Sequence, residues 1–75
     1  MTIAQKNILT KMNKIHEVRI QSISDRGTCT VYSYNKSKDD FMCLTVKRSG
    51  AVKREYDVVK SPSLKVRYQK MRVIK

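Results

Sequence analysis

The sequence predicts a small α+β domain, mainly β, in which an N-terminal helix precedes about five short antiparallel strands. Apolar residues first recur at helical spacing and then alternate with polar residues, and turn residues separate the alternating segments at intervals of roughly ten residues. We expect the strands to form a small meander or a partly closed barrel. The whole chain, residues 1–75, is expected to be one basic domain, with its sheet over about residues 16–74.

The first element is a predicted helix over about residues 3–14. Thr2 and Gln5 fit a capping box, in which each side chain bonds to the backbone N–H of the other residue. The apolar positions that recur at helical spacing are Ala4, Ile8, Met12 and Ile15. We therefore expect an amphipathic helix that lies as a lid on the sheet.

Four strands are predicted after His16, because apolar and polar residues alternate from that point. The first begins at Glu17, and the other three span about 28–34, 41–48 and 52–59. Gly27 and Gly50 mark the turns before the second and fourth strands. Arg54 interrupts the apolar face of the fourth strand, which is therefore expected at a sheet edge or with a sharp twist.

The last segment, residues 61–75, has two interpretations. As a strand, it would turn cationic side chains outward and an apolar row inward, and that row is Leu64, Val66 and Tyr68. As a helix, it would have Ser61 as its N-cap and Pro62 as its first residue. We favour the strand because the segment is rich in β-branched residues, with a bulge at 69–70 restoring the alternation.

Positive charge is the most unusual property of the chain. Its 17 Lys and Arg against 6 Asp and Glu give a net charge of +11. Residues 1–46 carry +3 of this charge, whereas residues 47–75 carry +8. Such asymmetry indicates a polyanionic partner, with nucleic acid first, an acidic protein surface second and an anionic membrane last.

The candidate nucleic-acid-binding residues all lie in the basic half of the chain. They are Lys47, Arg48, Lys53, Arg54, Lys65, Arg67, Lys70 and Arg72. Pairing of neighbouring strands is expected to bring Lys53 toward Lys65 and Arg67, so that the cations form one continuous patch. The alternative is structural, since long Lys and Arg stems also shield apolar surface and protect sheet edges.

Two tyrosines are candidates for stacking on nucleic-acid bases. Tyr32 and Tyr34 share one face of their predicted strand, and Phe41 follows closely across a loop. Aromatic rings in such a row can stack on single-stranded bases. The alternative is that they pack in the core, because this small domain has few other large residues.

Catalysis is poorly supported by the sequence, and we expect neither an enzyme nor a cofactor. His16 is the single histidine, and we expect it to be a surface or capping residue. Asp39 and Asp40 are too few to bind a metal and are expected in a solvated turn. A basic ribonuclease is a weaker alternative, and its phosphate site would consist of Arg67, Tyr68 and Arg72.

The two cysteines, Cys29 and Cys43, are too few for a disulfide framework and lack the spacing of metal ligands. They fall on neighbouring predicted strands, so a cross-strand bridge is a geometric option. We expect both thiols to be free and to act as small core hydrophobes in a reducing cytosol. The sequence shows neither a signal-peptide pattern nor a transmembrane span, which favours a cytoplasmic protein.

These observations predict a non-enzymatic module that binds DNA or RNA through phosphate contacts made by the basic C-terminal half. The alternative is a small regulatory or inhibitory protein that docks its basic face on an acidic protein. Association with further copies of the chain is compatible with either function, since a domain of this size has a small core.

Overall fold

The computed structural model describes residues 1–59 and 61–74, and the side chains of residues 1–55 and 61–74. The elements in chain order are α1 (Ile3–Ile15), β1 (Glu17–Ile23), β2 (Cys29–Asn35), β3 (Asp40–Val46), β4 (Val52–Val59), α2 (Pro62–Gln69) and β5 (Arg72–Val73). The strands form one antiparallel sheet in the order β4-β3-β2-β1-β5. The predicted mainly β, α+β class is confirmed. The sheet is open, with β4 and β5 at its edges, so the partly closed barrel is wrong.

Helix α1 begins with the predicted capping box. The Thr2 hydroxyl accepts from the Gln5 N–H, and the Gln5 side-chain oxygen accepts from the Thr2 N–H. The Gln5 amide is fully buried and also donates to the carbonyls of Gly27 and Val46, which attaches the helix to the β1–β2 turn and to the end of β3. The helix ends at His16, whose N–H donates to the carbonyl of Met12, so the predicted capping role of His16 is confirmed.

The face of the sheet beneath α1 carries the larger apolar core. Leu9 of α1 is fully buried against it, and strands β1, β2 and β3 supply the remaining buried residues. These are Val18, Ile20, Cys29, Val31, Leu44 and Val46. Alternation along each strand places these residues on one face, as the sequence pattern predicts.

Helix α2 covers part of the opposite face, and this corrects the strand prediction for residues 61–69. The Ser61 hydroxyl accepts from the Leu64 N–H, and Pro62 occupies the first turn. Leu64 and Tyr68 are buried on the sheet, whereas Val66 is 56% exposed. Exposing Val66 leaves less apolar surface in water than leaving the aromatic face of the sheet uncovered would, so the helix is favoured. The predicted strand survives only as the short β5.

The two cysteines lie on opposite faces of the sheet. Cys29 pairs with Val46 in the α1 layer, whereas Cys43 pairs with Tyr32 in the α2 layer. Both are buried and free, which confirms the prediction that they act as small core residues. Burial raises the pKa of the Cys29 thiol. A bridge between them is excluded by geometry, since their side chains leave the sheet in opposite directions.

Candidate nucleic-acid interface

The first group of cations lies on the hairpin formed by β3 and β4, and we call it the hairpin group. It consists of Lys47, Arg48, Lys53 and Arg54, all of which are exposed. The turn between the strands is closed by bonds from the Lys47 N–H to the Ala51 carbonyl and from the Gly50 N–H to the Lys47 carbonyl. Gly50 has a φ of +92°, as its predicted turn position requires.

Arg48 brings an additional cation to this end of the sheet. Its methylenes lie across Gly27, where an added Cβ would be 2.9 Å from the Arg48 Cδ. Gly27 also has a φ of +83°, so the turn needs glycine for its conformation, and the missing Cβ lets the Arg48 stem lie directly on the turn. Arg26 and Arg48 consequently line the same shallow pocket, together with the carboxylate-bearing Asp25. Sequence reasoning missed Arg26 because its proximity depends on two turns meeting.

The second group of cations lies on α2 and its C-terminal cap, and we call it the α2 group. It consists of Lys65, Arg67 and Lys70, all exposed. Leu64 and Tyr68 face the sheet, so these basic residues occupy the outward side of the helix. Residues 61–74 contain no Asp or Glu.

Arg72, the last predicted binding residue, is separated from the α2 group by the return of the chain to the sheet. It pairs with Ile20 on β5 and lines an open groove of about 550 Å³ beneath α1. Leu9 and Ile20 form part of the apolar wall of this groove, and Lys6 and Met1 also line it. Arg72 therefore faces the α1 side of the molecule.

The strand pairing from which a single continuous patch was predicted is wrong. The last segment pairs with β1 and not with β4, so Lys53 does not meet Lys65 or Arg67 across neighbouring strands. Lys53 and Arg54 themselves lie on opposite faces, because they pair with Thr45 and Leu44 respectively. The structure thus divides the eight predicted residues between the β3–β4 hairpin, α2 and the β5 edge.

Few carboxylates neutralise these cations. Among the side chains that the structure describes, the ion pairs are Arg19 with Glu17 at 3.0 Å and Lys65 with Asp39 at 3.1 Å. Hydrogen bonding to Asp39 raises the pKa of Lys65. Within the same described side chains, the candidate cations without a carboxylate in salt-bridge range are Lys47, Arg48, Lys53, Arg67, Lys70 and Arg72.

The tyrosine pair packs within the α2 layer, as the structural alternative predicts. Tyr32 and Tyr34 share a face and Phe41 adjoins them, as predicted, but α2 covers this cluster. Tyr34 lies 4.8 Å from Phe41 and 5.7 Å from Tyr68 between ring centroids. Its hydroxyl donates to Asp39, a hydrogen bond that raises the pKa of Tyr34. The ring faces therefore contact protein.

Arg19 attaches α2 to the sheet, a role that sequence reasoning missed. Its Nη1 donates to the carbonyls of Tyr68 and Gln69 at 3.1 and 2.9 Å, which are among the last carbonyls of the helix and have no i+4 partner within it. Its guanidinium also lies 4.7 Å from the centroid of the Tyr68 ring. Arg19 Nε is the one buried side-chain polar atom without a hydrogen-bond partner among the described residues.

The proposed ribonuclease site of Arg67, Tyr68 and Arg72 is not assembled. Tyr68 is 4% exposed, and its hydroxyl donates to the Glu17 carbonyl at 2.9 Å. Burial, assisted by the charge of Glu17, raises the pKa of the phenol well above its ordinary value. A buried, neutral and already bonded phenol is unsuited to proton transfer at an exposed phosphate.

The solvated turn predicted for the two neighbouring aspartates is confirmed for Asp39 and wrong for Asp40. Asp39 is exposed in the turn before β3, where it has a φ of +52° and bonds to Tyr34 and Lys65. Asp40 is buried at the start of β3. The described residues contain no group of three or more His, Cys, Asp or Glu side chains that could hold a metal ion.

Comparison with known proteins adds no family to this description. A scan against protein-family models and searches of curated proteins and of solved structures return no match. No described helix has the length and apolar character needed to cross a membrane. The chain's own side chains and their placement are therefore the basis on which function is inferred.

Proposed function

We propose that the protein binds nucleic acid without catalysing a reaction, and that Lys and Arg contacts to phosphates provide most of the affinity. The observation that supports this most strongly is a set of exposed cations on the β3–β4 hairpin and on α2 that have no carboxylate within salt-bridge range among the described side chains, namely Lys47, Arg48, Lys53, Arg67 and Lys70. Phosphate oxygens are the ligands that such side chains favour in proteins that bind polyanions.

The stability of the fold explains only part of this charge. Lys65 has a structural partner in Asp39, and Arg19 has one in the C-terminal end of α2. Arg67 and Lys70 have no such role among the described contacts, and placing them beside one another costs repulsion. A polyanion that lies along the outward side of α2 would relieve that repulsion.

The same geometry favours contacts to the phosphate backbone over recognition of bases. The aromatic rings of the α2 layer are packed against one another, and the exposed cations are carried on long side chains. Contacts of this kind position a nucleic acid but distinguish sequences weakly. We therefore expect similar affinities for duplexes of equal length and different sequence.

Salt dependence tests the proposal. If about six phosphates are neutralised, the logarithm of the affinity for duplex DNA should fall with the logarithm of salt concentration at a slope of about −5. The α2 variant, with Lys65, Arg67 and Lys70 each replaced by Ala, removes three of the contacts and should reduce the slope to about −2.7. Fluorescence anisotropy with a labelled duplex at several salt concentrations provides the measurement.

A matched control separates a binding surface from general charge. Replacing Lys11, Lys14 and Lys36 by Ala removes the same charge from exposed positions outside both groups. This control should keep a slope near −5, and circular dichroism should show that both variants fold. A salt-independent affinity, or equal losses in the two variants, would refute the proposal. Partners that persist in a pull-down after nuclease digestion would instead support docking on an acidic protein.

A further inference from the structure

We infer that one molecule of this protein holds two separate segments of nucleic acid, one on the hairpin group and one on the α2 group. The inference rests on the proposed function and goes beyond it, because a single binding patch would give a module that coats nucleic acid. Two patches at opposite ends of the sheet give a module that bridges it.

The distance between the groups follows from strand β3. Lys65 is bonded to Asp39, which immediately precedes β3, and Lys47 immediately follows the last residue of that strand. At about 3.3 Å per residue, the backbone positions of Asp39 and Lys47 are roughly 25 Å apart. This separation approaches the longest dimension of the molecule, 31 Å. The two groups therefore lie at opposite ends of the sheet.

Two described carboxylates on the α2 side of the sheet disfavour a single run of phosphates across both groups. Glu55 accepts a hydrogen bond from Thr45 near the hairpin end of β3. Glu17 lies beside the end of α2, where it contacts Arg19. A carboxylate next to each group repels phosphates that extend from that group along this side of the sheet. On the other side α1 covers β1 and β2 and stands about 10 Å above them, which blocks a straight route there.

The two groups are also fixed relative to each other. The hairpin group belongs to the central sheet, and α2 is attached to that sheet by Leu64, Tyr68 and the bonds from Arg19. A rigid arrangement prevents both groups from turning onto one phosphate run. When both segments belong to the same nucleic acid, occupation of one group makes capture by the other effectively intramolecular.

Capture of one duplex by another tests bridging directly. A biotinylated 20-base-pair duplex on beads is mixed with a fluorescent duplex of the same length and increasing amounts of the protein. Retained fluorescence should rise, pass through a maximum and fall, because excess protein occupies each duplex separately. Anisotropy with the fluorescent duplex alone measures simple binding in the same buffer.

Three variants assign the effect to the two groups. The hairpin variant carries Lys47→Ala, Arg48→Gln and Lys53→Ala, in which Gln keeps part of the stem that packs on Gly27. The α2 variant is the triple replacement defined above, and the control is the one at Lys11, Lys14 and Lys36. We expect each group variant to bind a single duplex with a shallower salt slope and to lose at least tenfold in capture, whereas the control retains capture.

The outcomes separate this inference from the proposed function. Absence of simple binding overturns both. Binding without capture by the unaltered protein overturns bridging alone. Capture that survives removal of either group also overturns it, because a dimer using one group from each copy would behave in that way. If the control variant loses as much capture as the group variants, capture depends on total charge and the bridging inference is overturned as well.

Discussion

Helices α1 and α2 lie on opposite faces of the same sheet but are held there by different means. Helix α1 has thirteen residues, caps its own N-terminus and inserts Leu9 into the larger core. Helix α2 has eight residues, buries Leu64 and Tyr68, and depends on Arg19 of β1 at its C-terminal end. One helix is specified mainly by its own sequence, whereas the other is completed by a residue almost fifty positions away.

This difference determines where the proposed binding function is vulnerable. The cations of α1 can be replaced without disturbing the sheet, because α1 is held to the sheet by apolar packing and by the hydrogen bonds of Gln5. Those of α2 are carried on a short helix whose isolated stability in water would be marginal. The orientation of the α2 group therefore depends on the contacts between α2 and the sheet, and substitutions at those contacts test the comparison.

The largest expected effect comes from the α1 layer. Leu9→Ala should lower the free energy of unfolding by about 3 kcal/mol, because a fully buried side chain is replaced by a cavity in the main core. Urea denaturation followed by circular dichroism measures the loss. Ile3→Ala on the same helix is the control, since Ile3 is 80% exposed, and it should change stability by less than about 0.5 kcal/mol. Similar losses for the two variants would contradict this packing of α1.

An intermediate effect is expected at the attachment of α2. Arg19→Ala should cost about 2 kcal/mol, because it removes the bonds to the last carbonyls of the helix and the contact with the Tyr68 ring. Hydrogen exchange should show faster opening of α2 with little local change in α1. Gln21→Ala, an exposed position on the same strand, is the matched control. If Arg19→Ala accelerated hydrogen exchange equally in both helices, α2 would not open independently of α1.

The smallest effect is expected from removing one hydroxyl. Tyr68→Phe should cost about 1 kcal/mol, because the Glu17 carbonyl loses its hydrogen bond. Folding raises the pKa of Tyr68, so the contribution of the neutral phenol is complete below pH of about 10 and is lost as pH rises through the folded-state pKa. The difference in free energy of unfolding between the unaltered protein and the variant should therefore decrease as the pH rises above about 10. Urea denaturation between pH 7 and 11 measures this difference, and a difference that increases would contradict the burial of this phenol.

Much of the fold could be predicted because its signals are local. The Thr2–Gln5 capping box and the helical spacing before Ile15 gave α1, and two-residue alternation with glycine turns gave the first four strands. Arg54 on an otherwise apolar face correctly indicated an edge strand. In each case the determining residues are neighbours in the sequence.

Residues 61–69 show where local reasoning fails. Their capping signal favoured a helix and their β-branched residues favoured a strand, so the segment itself was ambiguous. The aromatic surface formed by Tyr34 and Phe41, together with Arg19, decides in favour of the helix. None of these residues is near the segment in the sequence, and tertiary contacts commonly override propensity in such a case.

The candidate interface was predictable as a set of residues but not as a surface. Charge asymmetry selects the cations without reference to structure, whereas their grouping depends on strand order and on the path of α2. That path carries the chain from β4 across the sheet to β1, and it separates Lys65 from Lys53. The proximity of Arg26 to Arg48 arises in the same non-local way.

One buried thiol lies in each layer, so the rates at which the two thiols are labelled report how often each layer opens. A thiol-modifying reagent reaches Cys29 only when the α1 layer separates, and Cys43 only when the α2 layer does. The ratio of the two labelling rates, read by mass spectrometry on the unmodified chain, therefore ranks the two layers by how often each one opens. It does so without introducing any probe into the cationic surfaces.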